Sequence, residues 1–235
     1  IGLRIDNYSE YSSVLSPRVG FMYRFKENWK FRTSWGQGFR APSFMERFID
    51  WNHVQFNYLV QGNPDLEPEK SEGINIGIEY VNTSKYQMSL MFYQTKFENL
   101  IEDFAIKPGL LSYQNIDKAT FSGLELMCQL RISDQLDSRW GINWVNNVDG
   151  QNKTIPNTIP LSLTGSTNYK HPKKPVNFSI NTKWVGSYRP QEYDPIKGLF
   201  VFAEKKLAAY SLIRLKSTIK ISDYFNLSIG ENSNT

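Results

Sequence analysis

Histidine and cysteine are almost missing, with two and one respectively among 235 residues. The lone Cys128 excludes a disulfide within the chain and a cysteine-based metal site. No zinc-ligand spacing, nucleophile elbow or Walker loop is present. Net charge is small, +4 at pH 7, so composition gives no reason to expect nucleic acid as a partner. No apolar run approaches the roughly eighteen residues of a membrane helix. That excludes helical spanning only, because barrel strands hide ordinary hydropathy behind alternation. The chain starts at Ile1 with neither an initiator methionine nor a signal peptide, and is therefore expected to be a piece of something longer.

What is present is aromatic and periodic. Phe, Trp and Tyr make up 14% of the residues, and period-two alternation recurs while helical periodicity does not. Val19, Phe21, Tyr23 and Phe25 alternate with Arg18, Gly20, Met22 and Arg24, and Ile74, Ile76, Ile78 and Tyr80 with Asn75, Gly77 and Glu79, before Leu124, Leu126, Cys128 and Leu130 recur at the same period. The pattern predicts about eleven long antiparallel strands. Short connections (residues 26–28, 81–85, 133–137, 171–175 and 222–223) alternate with long ones (9–15, 40–70, 98–120, 149–159 and 187–206). In a meander this puts every short turn at one end and every long loop at the other, as in an outer-membrane barrel.

Two further patterns fit a wall with lipid on one side. Phe25, Trp29, Tyr80, Tyr86, Trp140, Tyr169 and Phe225 all fall near short turns, as an interfacial girdle requires. The other face carries Arg4, Arg18, Arg24, Lys30, Arg32, Arg131, Arg139, Lys183, Arg214, Lys216 and Lys220, against Asp6, Glu79 and Glu125. Charges facing lipid at mid-bilayer cost about 2–4 kcal/mol, so this face is expected to line a wet lumen. It would there meet either an acidic internal domain or anionic cargo.

Five segments in order carry a resemblance: S-P-R-V-G-F at 16–21, G-F-R-A-P-S at 38–43, G-N-P-D-L-E-P-E-K-S at 62–71, Y-Q-N at 113–115 with S-G-L-E-L at 122–126, and I-P-N-T-I-P at 155–160. Their order and spacing resemble the C-terminal half of the barrel of TonB-dependent outer-membrane receptors. The resemblance covers almost the whole chain, residues 1–235. It implies an all-β, antiparallel transmembrane β-barrel of 22 strands in the bacterial outer membrane, an N-terminal plug domain, and energy supplied by the TonB complex. About eleven strands cannot close such a wall. The plug and the TonB-contacting box have no counterpart here, and the chain stops after an upward strand where the family has one more. The expectation is a partial barrel with two open edges.

Between the F-R-A-P box (Phe39, Arg40, Ala41, Pro42) and the N-P-D-L box (Asn63, Pro64, Asp65, Leu66) lies a connection far longer than usual. A histidine at this place resembles the haem-uptake branch, in which it serves as axial iron ligand. That makes His53 the candidate haem-iron ligand, with a solvated loop histidine as the alternative. Trp51, Phe56, Tyr58 and Tyr113 are candidates for an aromatic lining, or else for packing of the loop. Glu67 and Glu69 are expected to stabilise its return into a strand, and His171 to be structural. The Gly36–Ala41 stretch imitates a dinucleotide fingerprint but lacks the helix that would hold phosphate. No cofactor is implied. Haem, a ferric siderophore or cobalamin would be cargo, and outer-membrane lipid a partner. An enzyme on a small barrel would need a Ser/His pair at the lipid face, and a soluble β-rich binding module would have no lipid-facing band.

Overall fold

The computed structural model describes residues 1–82, 85–194, 199–222 and 224–234. In order they form β1 (Gly2–Asp6), β2 (Val14–Lys26), β3 (Trp29–Arg40), α1 (Phe44–Phe48), β4 (Asp50–His53), a 3-10 turn (Val54–Phe56), β5 (Tyr58–Gln61) and β6 (Glu69–Asn82). There follow β7 (Tyr86–Lys107), β8 (Leu110–Arg131), β9 (Leu136–Asp149), β10 (Leu161–Lys170), β11 (Val176–Val185), β12 (Gln191–Asp194), β13 (Leu199–Phe202), β14 (Tyr210–Lys220) and β15 (Asn226–Asn234). Eleven of these strands make one meander, β1-β2-β3-β6-β7-β8-β9-β10-β11-β14-β15. Every neighbouring pair along it is antiparallel.

Register separates the two faces. One unbroken row of paired residues runs Tyr23, Phe31, Ile78, Leu90, Leu126, Ile142, Leu163, Trp184. The adjacent row on the other face runs Arg24, Lys30, Glu79, Ser89, Met127, Gly141, Thr164, Lys183. The apolar row meets no second layer: Tyr23 is 57% exposed and Ile142 41%. So large a continuous apolar surface is untenable in water and suits lipid. No helix among the described residues is long and apolar enough to cross a membrane, which leaves crossing by strands open. Buried side chains gather at the long-loop end instead, at Leu66, Leu100, Ile101 and Leu111.

The girdle is visible as ring contacts beside the short turns: Phe25 to Trp29 at 6.0 Å, Trp29 to Tyr80 at 4.9 Å and Tyr80 to Tyr86 at 5.6 Å. Trp140 lies in the same register row as Tyr80, through Met88 and Cys128. On the polar face Arg4 pairs with Asp6 at 2.8 Å and Arg32 with Glu79 at 3.1 Å. His171 caps its turn, its Nδ1 accepting from the amides of Lys173 and Lys174 at 3.1 and 3.0 Å. Of the short connections, Thr83 and Ser84 of one and Asp223 of another lie outside the described residues.

Three long connections differ from the sequence expectation, and the first, 40–70, holds α1 and the paired strands β4 and β5 where a loop was expected. Residues 98–120 are no loop: β7 and β8 continue through them and turn only at Pro108 and Gly109, whose φ of +76° suits glycine. Residues 187–206 contain the hairpin β12–β13, and β13 packs against β7. Alternation fails above the lipid band because elements pack on both sides of a strand, and Leu100 and Ile101 are adjacent yet both buried.

Candidate functional site

The connection from Arg40 to Glu69 is ordered from its feet. Antiparallel register carries β3 and β6 up from Trp29↔Tyr80 to Arg40↔Glu69. There the Arg40 guanidinium donates to both oxygens of Glu69, Nε and Nη2 each at 2.6 Å. Its Nη1 lies 3.0 Å from both oxygens of Glu46. Glu46 also closes a capping box at the start of α1: the Ser43 amide donates to its carboxylate at 2.7 Å, and its own amide donates to Ser43 Oγ at 3.2 Å. Burial alone would raise the Glu46 carboxyl, but these bonds from Ser43 and Arg40 hold it below its ordinary range. Glu69, 7% exposed, accepts a third bond from the Ile101 amide at 2.9 Å.

The N-P-D-L box locks onto the same clasp. The Asn63 amide donates to Glu46 O at 2.9 Å, its side chain donates to Tyr113 O at 2.9 Å, and its Oδ1 accepts from the Asp65 amide. The Gly62 amide donates to Ile49 O at 2.7 Å, and a Cβ there would sit 2.5 Å from the backbone of Arg47 and Phe48. Leu66 is buried beneath, at 3%. Arg47 donates to Pro64 O from Nε and Nη2 and pairs with Glu10 of the β1–β2 loop. Below, the Glu67 amide donates to Asn115, whose side chain returns a bond to Glu67 O and another to Asn99 O. Glu67 and Glu69 thus hold the loop's return, as the sequence suggested. What the sequence hid was their partners, Arg40, Asn99 and Asn115.

Of the aromatic candidates, Trp51, His53 and Tyr58 come together. His53 is the last residue of β4, paired with Tyr58 of β5. Its ring meets Trp51 edge-on at 4.6 Å and stacks on Tyr58 at 5.2 Å. Trp51 is 50% exposed. The Phe56 side chain lies outside the described residues. Tyr113 is not part of the cluster. β5 runs parallel to β8 with Leu59 opposite Leu110, so Tyr113 is three residues further along, about 10 Å at the usual rise. The bond from Asn63 to its carbonyl places it beside the clasp, and burial raises its phenol, with help from the charges of Asp103 and Glu46. Ala41 and Pro42 connect β3 to α1. Phe39 carries Tyr8 of the neighbouring loop at 5.3 Å. The site therefore has a polar, hydrogen-bonded base and an aromatic crown of which Trp51 is exposed and His53 and Tyr58 are half-buried. Three or more clustered metal-ligating side chains are not found among the described residues.

A meander with one lipid-suited face, a girdle and a clasped loop defines a class of membrane receptor barrels, and comparison with known proteins agrees. The family described as TonB dependent receptor-like, beta-barrel, matches residues 1–231. The chain belongs to that family, which places it in the bacterial outer membrane. It is similar to the ferrienterobactin receptor of Escherichia coli, 23% identical over 97% of this chain and 33% of that protein. It is also similar to an iron-regulated outer membrane virulence protein of Vibrio cholerae, 29% identical over 58% of this chain and 23% of that protein. A heme/hemopexin utilization protein of Haemophilus influenzae is 29% identical over 54% of this chain and 23% of its own length. Among solved structures, a ferric enterobactin receptor of Pseudomonas aeruginosa superposes with a TM-score of 0.77 at 19% identity, over 97% of this chain and 36% of that one. That likeness establishes the fold. The chain spans a quarter to a third of the curated relatives it matches.

Proposed function

We propose that this chain supplies part of the barrel wall, and one principal cargo loop, of an active-transport receptor that imports a scarce iron complex, siderophore or haem, with energy from TonB. The observation that carries this reading is the division of labour within residues 40–69. The two boxes are fixed by hydrogen bonds, several of them charge-assisted, while an exposed Trp51 and half-buried His53 and Tyr58 stand between them. Flat aromatic surfaces on a fixed base suit an aryl-bearing chelate or a porphyrin. The names of the relatives, receptors for ferric enterobactin and proteins of haem utilisation, support the cargo class. The basic lumen-side wall favours an anionic complex. The chain carries no covalent chemistry in this reading. A plug domain and TonB are its partners in the complete receptor.

Haem is the narrower reading, and His53 is where it is tested. As axial ligand it would present a neutral imidazole nitrogen, oriented by Trp51 and Tyr58. In the full-length receptor, His53→Ala should abolish the Soret shift seen on adding haem, and an unchanged spectrum refutes ligation by His53. Uptake of radio-iron presented as a ferric siderophore, compared in cells with and without TonB, tests the broader reading. Energy-independent uptake, or uptake of cobalamin alone, would overturn it.

A further inference from the structure

The aromatic crown is borne by two strands of four residues each, β4 and β5, joined by the 3-10 turn at Val54–Phe56. A two-stranded hairpin is marginal at best in water and needs a further strand to persist. β8 supplies it. β9 pairs with β8 only as far as Ala119↔Asp149. Above that, Leu59, Val60 and Gln61 lie opposite Leu110, Leu111 and Ser112 in parallel register, and β7 covers the other edge of β8 up to Lys107↔Leu110. The result is a four-stranded sheet, β4-β5-β8-β7, assembled from two different connections. β7 and β8 run for 22 residues each, roughly 70 Å at the usual rise. The crown is therefore mounted on a ladder rooted in the wall.

Two turns meet where the pieces join. Pro108 and Gly109 turn the β7–β8 hairpin, and Gly109 has φ of +76°, the order and sign of a type II turn. The Leu59 amide donates to Gly109 O at 2.8 Å. Facing it, Asn57 ends the 3-10 turn in the left-handed region at φ 53°, its amide donating to Val54 O at 3.3 Å. The Asn57 carbonyl lies 3.4 Å from where a Cβ on Gly109 would stand, an ordinary contact. Space would thus admit a side chain at 109, and what selects glycine is the positive φ that aims its carbonyl at Leu59. Leu59 is flanked by Tyr58, on which His53 stacks, and by Val60, opposite Trp51. The bond to Gly109 is made at the centre of the crown's backbone.

We propose that Gly109, in a different connection from the crown, is a positioning residue for Trp51, His53 and Tyr58, so that the hairpin tip sets where the cargo loop presents its aromatic rings. The inference rests on the reading of residues 40–69 as a cargo loop. Alanine is disfavoured at such a φ by roughly five- to thirty-fold, which drives the turn to a shape whose carbonyl no longer meets Leu59. β4 and β5 then fall back towards a marginal hairpin. The binding-competent fraction drops, and apparent affinity drops with it.

Hydrogen exchange at the Leu59 amide of the full-length receptor reads the docking and needs no cargo. Gly109→Ala should raise it roughly ten-fold, and Gly109→Asn, whose side chain tolerates positive φ, should stay within about two-fold of the parent. Uptake of iron from haem and from a ferric catecholate siderophore reads the crown. Gly109→Ala should raise the half-saturating concentration about three-fold or more at an unchanged maximal rate, and Gly109→Asn should restore it. A role in folding or insertion alone would lower the maximal rate instead. Unchanged exchange at Leu59 in Gly109→Ala overturns the docking. Raised exchange with unchanged half-saturation overturns the positioning role, as does like behaviour of the alanine and asparagine variants. If Gly109→Ala does not reach the membrane, Leu59→Pro removes the donor from the other side and should raise half-saturation equally, and no change refutes the proposal. A parent receptor that takes up iron from neither source refutes the cargo reading itself, a result on which the exchange measurement does not depend.

Discussion

Replacing Arg40 by alanine removes the cation that Glu46 and Glu69 share. Glu69 would keep one donor, the Ile101 amide, for a carboxylate only 7% exposed. Breaking a buried ion pair from one side costs about 3–5 kcal/mol. Here the Arg40 side chain is 45% exposed, so water reaches its outer half and part of the cost is relieved. About 2 kcal/mol is a reasonable value for local opening of the clasp, equivalent to roughly a thirty-fold rise in its open population. Hydrogen exchange in the full-length receptor reads this directly at the amides of Gly62, Asn63 and Ile101, each of which donates within the clasp. Amides of β10 and β11 should not change, since the wall does not depend on the loop. Arg40→Lys restores charge without the planar fork and should fall between parent and alanine. Exchange at Asn63 and Ile101 within about two-fold of the parent would refute the view that Arg40 holds the loop's feet.

Gly62→Ala forces a Cβ to within 2.5 Å of the Arg47–Phe48 backbone, so β4 and β5 should detach, at a cost of about 1–3 kcal/mol. Increased proteolytic cleavage within residues 44–61 checks it. Acid should loosen the same loop through Glu46, whose folded pKa lies below the unfolded value. Its contribution is therefore present above the ordinary carboxylate range, about 4.3, and lost as pH falls through the folded value. Glu102 works in the opposite sense, because burial, aided by Asp103 and Glu69, raises it. Pepsin cleavage compared between Glu102→Gln and Glu102→Gln/Glu46→Gln should show acid sensitivity only in the first. Spin labels at Ile76 or Leu90 should report lipid and labels at Asn75 or Ser89 water, and a reversed pattern would overturn the assignment of faces.

Strands and faces were legible because lipid on one side and water on the other impose period two wherever the chain crosses. Ile74, Ile76 and Ile78 declare their face without any partner being known. That rule lapses above Trp35. Leu100 and Ile101 are both buried, Asn99 takes φ of 56°, and the hairpin through residues 98–120 consequently read as loop. The strands β4 and β5, four residues each, are too short for alternation to show. The motif boxes could be recognised, but their mechanics could not, because Arg40 and Glu69 stand 29 apart in sequence. One inference was open: strands paired at Trp29 and Tyr80, extended upward in antiparallel register, bring an arginine opposite a glutamate.

Under the proposed function, the position of that pair bears on specificity. Loops that recognise cargo need residues free to differ, and a long connection left to itself would lose affinity to the entropy of ordering it. Here the ordering is done at the base, by Arg40 with Glu69 and Glu46, by Asn63 with Tyr113, and by Gly62 against the Arg47–Phe48 backbone. None of these contacts uses the side chains of Trp51, His53 or Tyr58. Substitutions between the boxes should therefore alter which complex binds while leaving the loop's path intact. Substitutions in the boxes should weaken every cargo alike. A box variant that changed cargo preference without a general loss would show that base and crown are not separable.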